Sequence, residues 1–204
     1  MPSRPPLPET EIRAIVRRVV DSVVVPADAA SPPAADVGAG APDDRGSGDG
    51  SRGERIALGS DHGGYRLKKE LVVKLGVAGY DVVDCGTDGP DAVDYPDFAH
   101  AVACQVADGS CRWGIVIDGA GIGSAMVANK VPGVRAALCY DLSTARNSRE
   151  HNHANVLTLG AGLVAPGLAW QIVQEWLSVP WGGDRHARRV AKITDIEQGY
   201  VGSR

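Results

Sequence analysis

Short apolar runs alternate with amphipathic segments from Arg55 onward. The apolar runs are typical of strands and read RIALGS, YDVVDC, WGIVID, VRAALCY and ANVLTLG. The segments between and after them carry apolar residues at helical spacing and read YRLKKELVVKL, DFAHAVACQVA, SAMVANK, DLSTARNSRE and GLAWQIVQEWL. A last, basic helix is predicted over residues 185–198. The strands are apolar enough to be covered on both faces, so the pattern predicts an α/β fold with a five-stranded parallel sheet.

The predicted sheet is doubly wound, with a flavodoxin-like or Rossmann-like arrangement of helices on both faces. In such sheets, ligands bind beyond the carboxyl ends of the strands. Residues 55–204 therefore form the predicted globular domain, and its candidate site residues are the polar ones that follow the strands.

The N-terminal 25 residues form a separate element in the pattern. Apolar residues recur there at helical spacing, namely Ile12, Ile15, Val16, Val19, Val20 and Val23. Thr10 is the predicted N-cap. An isolated helix of this length is marginal in water, so its apolar face needs a partner.

A linker joins this helix to the domain. Residues 26–54 are rich in Pro, Gly, Ala, Asp and Ser and carry no aromatic residue. Such a segment cannot bury enough apolar surface to offset the entropy of ordering, which predicts a flexible tether.

Composition narrows the class of protein further. The net charge of -4 and the pI near 5.7 argue against a nucleic-acid-binding surface. No apolar stretch approaches the roughly 20 residues needed to span a membrane, and the N-terminal pattern does not predict a signal peptide. The four cysteines, Cys85, Cys104, Cys111 and Cys139, lack metal-binding spacing. We expect reduced, mostly buried thiols in a cytoplasmic protein, and a nucleophilic role for any of them is a minor alternative.

Polar residues gather where the predicted strands end. Asp61 and His62 follow the first strand, Asp94 and Tyr95 come after the second, and Asp118 ends the third. Each alone is most simply a helix cap or an exposed side chain. Together, at one edge of one sheet, they predict a polar pocket.

A glycine turn follows Asp118 in the segment IVIDGAGIGSAMVANK. Such a turn between a strand and a helix gathers backbone amides and is suited to hold an anion. GAGIGS also superficially resembles the glycine motif of dinucleotide-binding proteins, with Asp141 at a distance suited to a ribose. However, this turn follows the third strand rather than the first, which disfavours a nicotinamide-dependent oxidoreductase.

Five motifs, in order and spacing, resemble the type B ribose-5-phosphate isomerase and galactose-6-phosphate isomerase family. They are GSDHGGYRLKKEL, DYPDFA, GAGIGSAMVANKVPGVRAALC, SREHNHANVLTLG and RHARRVAKITDIEQ, and they cover about residues 55–198. The resemblance implies an enzyme that interconverts aldose and ketose sugar phosphates without a metal or organic cofactor. It also implies a homodimer, sometimes a tetramer, with sites completed between subunits.

The resemblance assigns roles to individual residues. It makes Asp61 and His151 catalytic, with His151 opening the sugar ring. It makes the amides of the turn, at Gly119, Gly121 and Gly123, the donors that hold the enediolate oxygens. The substrate-binding residues it implies further are His62, Tyr95, Ser124, Asn152, Arg185 and Arg189, of which the two arginines bind phosphate with His186 beside them.

The chain departs from the family pattern within the turn. Asp118 stands where many members have a cysteine base, Ser124 stands where others have a glutamate base, and Ala120 replaces a usual hydroxyl residue. Isomerisation needs one base beside the carbonyl and stabilisation of two oxygens. We therefore expect Asp118, strengthened by burial near Asp61, to act as the base. The alternative is that Asp118 only caps the next helix or orders the turn.

His151 follows the helix after the fourth strand, which carries the chain back to the opposite end of the sheet. One subunit alone would struggle to bring His151 to Asp118, so we expect a symmetric dimer in which His151, and with it Arg185 and Arg189, complete the partner's site. The expected substrate pair is ribose 5-phosphate and ribulose 5-phosphate. The alternatives are another pentose or hexose phosphate, or a sugar-phosphate-binding or scaffold protein that has lost catalysis.

The arrangement of helix, tether and enzyme-like domain resembles cargo of bacterial microcompartments. It implies that residues 1–25 are an encapsulation peptide that binds shell proteins in a compartment lumen. The alternative is a helix that docks on its own domain or on a second subunit. The acidic residues Glu9, Glu11 and Asp21 argue against a mitochondrial transit peptide.

Overall fold

The computed structural model describes residues 54–202, in which five strands alternate with six helices. The strands are β1 Arg55–Ser60, β2 Asp81–Asp84, β3 Trp113–Asp118, β4 Ala136–Leu138 and β5 Val156–Gly160. The helices are α1 Tyr65–Val77, α2 Tyr95–Ala107, α3 Ile122–Ala128, α4 Leu142–Glu150, α5 Pro166–Ser178 and α6 Asp184–Val201. The predicted α/β alternation is confirmed.

All five strands are parallel, and their spatial order is β2-β1-β3-β5-β4. The doubly wound sheet is thus as predicted, with the last two strands exchanged relative to the flavodoxin order. Burial accounts for the exchange. Every residue of β5 is buried, which suits a central strand, whereas β4 has three partly exposed residues and suits an edge.

Two apolar layers cover the faces of the sheet. One contains Leu67, Leu71 and Leu75 of α1 together with Ile172 and Trp176 of α5. The other is formed mainly by α2, whose residues 99, 102, 103 and 106 pack against the strands. Because each central strand is buried on both faces, polar side chains are concentrated at the ends of the strands.

The predicted helix in residues 1–25 and almost all of the predicted linker, residues 26–54, lie outside the described residues. Glu54 alone of the linker is described, and it already belongs to the folded domain. Its carbonyl accepts a hydrogen bond from the Asp81 amide at 3.2 Å, and its carboxylate forms an ion pair with Arg112.

All four cysteines are free thiols, and Cys111 and Cys139 are buried. Burial raises the pKa of Cys85 to about 11 and also raises the pKa values of Cys111 and Cys139. A thiol needs to be ionised to act as a nucleophile, so these three are poor nucleophiles at neutral pH. No helix within residues 54–202 is long and apolar enough to cross a membrane.

Candidate active site

The carboxyl ends of β1 and β3 bring together one group of the predicted site residues. We call it the turn pocket: Asp61, His62, Tyr95 and the 118–124 turn. Ser60 pairs with Ile117 in the sheet, and the Asp61 amide donates to the Ile117 carbonyl at 3.2 Å. Asp61 and Asp118 therefore leave neighbouring strands at the same level.

Asp118 is almost fully buried, and both of its carboxylate oxygens accept hydrogen bonds from its own turn. Oδ1 accepts the amides of Ala120, at 2.8 Å, and Gly121. Oδ2 accepts the amide of Ser124 at 3.0 Å and its hydroxyl at 2.5 Å. The carboxylate thus occupies the centre of the glycine turn, in the position that an external anion would otherwise take.

The end of β5 supports the turn from behind. Gly121 has a φ of +77°, and a Cβ there would lie 2.5 Å from Leu138 and 2.9 Å from the Leu159 backbone. The Thr158 hydroxyl donates to the Gly121 carbonyl at 2.9 Å, and the Ala161 amide donates to the Asp118 carbonyl at 2.8 Å. Only glycine meets both demands at position 121, so the sequence specifies this tight turn.

Of the remaining side chains of the turn pocket, His62 and Tyr95 are exposed and Asp61 is buried. The Tyr95 ring lies against Gly123, where an added Cβ would come within 2.6 Å of it. His62 Nδ1 lies 3.2 Å from the Val93 amide nitrogen and 3.3 Å from the Val93 carbonyl oxygen, so the backbone of Val93 positions the ring. Asp61 Oδ1 accepts the Gly64 amide at 3.0 Å. The pocket therefore presents a carboxylate, an imidazole and a phenol.

Ser124 has no accessible surface, so its hydroxyl serves Asp118 and does not face the pocket. Three amides of the turn remain available, because within residues 54–202 those of Gly119, Ile122 and Gly123 donate no hydrogen bond. The amide of Gly121, which the resemblance assigns to substrate, donates to Asp118 instead.

A second group of predicted site residues lies where α4 ends and α6 begins. We call it the histidine–arginine cluster: His151, Asn152, Arg185, His186 and Arg189. The rings of His151 and His186 stack with centroids 4.2 Å apart. Arg185 Nε donates to His186 Nε2 at 3.2 Å, while the Arg185 and Arg189 side chains are exposed. Two exposed guanidinium groups beside imidazoles suit a phosphate.

The turn pocket and the histidine–arginine cluster lie at opposite ends of the sheet in one chain. Arg149, at the end of α4, has its guanidinium 4.0 Å from the centroid of Trp113, the first residue of β3. Asp118 is the last residue of the same strand, about 16 Å away at the usual rise per residue. His151, two residues beyond Arg149, is thereby placed toward the start of β3 and away from its Asp118 end, as expected from the chain direction.

Sequence reasoning missed one member of the second group. Asn147 Nδ2 and His151 Nδ1 are 2.8 Å apart, so the amide holds the imidazole in position. The signal was available, because residues four apart share a face of a helix. Within the described residues, no group of three His, Cys, Asp or Glu side chains is arranged to hold a metal ion.

His186 is buried among positive groups. Burial lowers its pKa, and the nearby His151, Arg185 and Arg189 lower it further. The unfolded chain takes up a proton at this histidine near the ordinary pKa of about 6.5, whereas the folded protein does so only at lower pH. Unfolding therefore binds a proton in this range, and the free energy of unfolding should fall as pH drops below about 6.5.

Replacing His186 with glutamine should flatten this dependence. Urea unfolding of both proteins between pH 7 and pH 5 measures it. The control is His100→Gln, which changes an exposed histidine of α2 and should keep the wild-type slope. Equal slopes for His186→Gln and wild type would contradict the assignment.

A groove of about 1310 Å³ begins beside the histidine–arginine cluster. It runs between α4, the edge strand β4 and α6, and Asn147 and Asn152 line it at one end. Ile193, Ile196 and Tyr200 of α6 line it further along and are exposed. These apolar side chains lack cover within the described chain.

The fold and the two residue groups define a doubly wound α/β protein with a polar pocket beyond the ends of two strands and an exposed, basic cluster at the other end of the sheet. The sequence profile described as Ribose/Galactose Isomerase matches residues 56–193, and the chain belongs to this family. It is a sugar-phosphate isomerase by that membership and by its relatives.

Ribose-5-phosphate isomerase B of Escherichia coli is 44% identical over 145 residues, which are 71% of this chain and 97% of that protein. The Mycobacterium tuberculosis enzyme of the same name is 38% identical over 150 residues, 72% of this chain and 93% of that protein.

Solved structures agree with the relatives. Clostridium thermocellum ribose-5-phosphate isomerase B superposes with a TM-score of 0.71 at 53% identity, over 72% of this chain and 99% of that one. The Mycoplasma genitalium enzyme, solved with bound ribulose-5-phosphate, gives 0.70 at 42% identity, over 72% and 98%.

Proposed function

We propose that the protein interconverts ribose 5-phosphate and ribulose 5-phosphate through an enediolate. The proposal rests on one observation: the chain has both a turn pocket, which contains a carboxylate and unpaired amides, and a separate pair of exposed arginines. The first suits the carbonyl end of a sugar and the second suits its phosphate. Relatives named ribose-5-phosphate isomerase B, one of them with ribulose-5-phosphate bound, support this substrate pair.

The chemistry requires a base on one face of the sugar and donors to the two oxygens. The amides of Gly119, Ile122 and Gly123 are the available donors of the turn. Asp118 was expected to be the base, with turn ordering as the alternative. The four hydrogen bonds that its carboxylate accepts favour the alternative, since they occupy both oxygens.

A homodimer with shared sites is part of the proposal. The two groups lie at opposite ends of β3, a strand about 16 Å long, so each group is incomplete within one chain. A two-fold axis would set the turn pocket of one subunit against the histidine–arginine cluster of its partner. The exposed apolar residues of the groove, and Ile122 and Met126 on α3, are suited to such an interface. Assembly of two dimers into a tetramer is compatible with it.

Turnover over a panel of pentose and hexose phosphates tests the substrate. We expect ribose 5-phosphate to give the highest kcat/KM. A higher kcat/KM for a hexose phosphate would contradict the proposed substrate pair and identify that hexose phosphate as the substrate. Thermal stabilisation by sugar phosphates without any turnover would instead indicate a binding or scaffold protein that has lost catalysis, which is the alternative suggested by the departures from the family pattern at Asp118 and Ala120.

For residues 1–25 we propose an encapsulation peptide that binds microcompartment shell proteins, on the strength of the sequence pattern alone. A fluorescent protein carrying these residues should co-purify with shell proteins, and one carrying Ile15→Asp and Val19→Asp should not. Equal recovery of the two would refute the proposal.

A further inference from the structure

Of the two carboxylates in the turn pocket, Asp61 is the one that can accept further hydrogen bonds. Its Oδ1 accepts the Gly64 amide, and within residues 54–202 its Oδ2 accepts no hydrogen bond. Asp118, one strand away, accepts four. A general base needs a lone pair directed at the proton it removes, and Asp61 is the residue of the two that has one.

The space beside Gly63 is bordered by the Asp61 carboxylate and by the unpaired amide of Gly119. A Cβ placed on Gly63 would lie 3.3 Å from Asp61 Oδ1 and 3.6 Å from the Gly119 nitrogen. Since position 63 has no side chain, this space is left open between the carboxylate and the amide. A base and an oxyanion donor thus border one site, which is the arrangement that enolisation needs.

We infer that Asp61 is the proton-transferring base of this enzyme and that Asp118 is a positioning residue that shapes the turn. The inference rests on the proposed isomerase function. Asp61 removes the proton from C2 of the open-chain aldose, and the electrons of that C–H bond form the C1–C2 double bond. The carbonyl π pair moves to O1, which accepts the Gly119 amide.

The second half of the reaction returns the proton. The hydrogen on O2 passes to O1, the electrons left on O2 form the C2 carbonyl, and the C1–C2 π pair takes the proton back from Asp61 at C1. The aldose becomes the ketose, Asp61 is a carboxylate again, and no redox partner is consumed.

Exchange of the C2 hydrogen in D₂O isolates this step. The full-length protein is incubated with ribose 5-phosphate, and loss of the C2 proton signal is followed by NMR beside turnover. Asp61→Asn should slow both about 10²–10⁴-fold, because that is the usual contribution of a general base. The substitution keeps the oxygen that accepts the Gly64 amide, and Asp61→Ser is the second variant if Asn fails to fold.

Asp118→Asn is the matched comparison. It should raise KM through a distorted turn and retain C2 exchange, whereas Asp61→Asn should lower kcat and C2 exchange together. Exchange near the wild-type rate in Asp61→Asn, or its loss in Asp118→Asn alone, would overturn the inference. A wild-type protein that neither exchanges nor turns over any sugar phosphate would instead remove the proposed function.

Discussion

A heterodimer of an Asp61→Asn subunit and a His151→Ala subunit is expected to show about half of the wild-type activity, although each parent homodimer is nearly inactive. If each site combines the turn pocket of one subunit with the histidine–arginine cluster of its partner, one of the two sites receives both lesions. The other receives none. Co-expression with two different affinity tags isolates the heterodimer for assay.

The control places both substitutions in one chain and pairs it with a wild-type subunit. Under the shared arrangement each site then carries one lesion, so this heterodimer should be nearly inactive. Sites contained within single subunits predict the reverse result, with the control half active and the first heterodimer inactive. The placement of the two groups at opposite ends of β3 in one chain, a strand about 16 Å long, is the reason to expect sharing.

Asp118→Ala is expected to lower the free energy of unfolding by about 3 kcal/mol. The substitution leaves three amides, at Ala120, Gly121 and Ser124, and the Ser124 hydroxyl without an acceptor, and Gly121 and Ser124 are buried. An unpaired buried donor retains its full desolvation penalty, and water entering at the exposed Gly119 recovers only part of it. Urea denaturation followed by circular dichroism measures the change.

Ser124→Ala is the graded control for this prediction. It removes one of the four donors and leaves three, so the expected loss is about 1 kcal/mol. A loss for Asp118→Ala no larger than that for Ser124→Ala would show that the carboxylate does not hold the turn together.

The fold was largely predictable because periodicity and burial agree. The β1 and β3 runs match the observed strands residue for residue, and α1, α2 and α5 differ by at most two residues at either end. The run VRAALCY shortened to Ala136–Leu138, and its edge position was not apparent. Strand order depends on which strand buries more surface against both helical layers, and a local pattern does not contain that comparison.

The site was predictable in membership and less so in roles. The order of polar residues after strands indicated Asp61, His62, Tyr95 and Asp118, and chain direction indicated that His151 lies at the other end. The stacking of His151 on His186 and the four bonds to Asp118 depend on side-chain rotamers, which no spacing rule supplies.

Under the proposed mechanism, the carboxylate at the centre of the glycine turn affects how tightly the enzyme binds the enediolate intermediate. An internal anion keeps the loop in one shape whether or not sugar is present, so the outward amides are preorganised before binding. No entropy is then spent on freezing the backbone when charge develops on the substrate. More of the binding energy then stabilises the enediolate, and stabilising this species accelerates the reaction more than stabilising the substrate does.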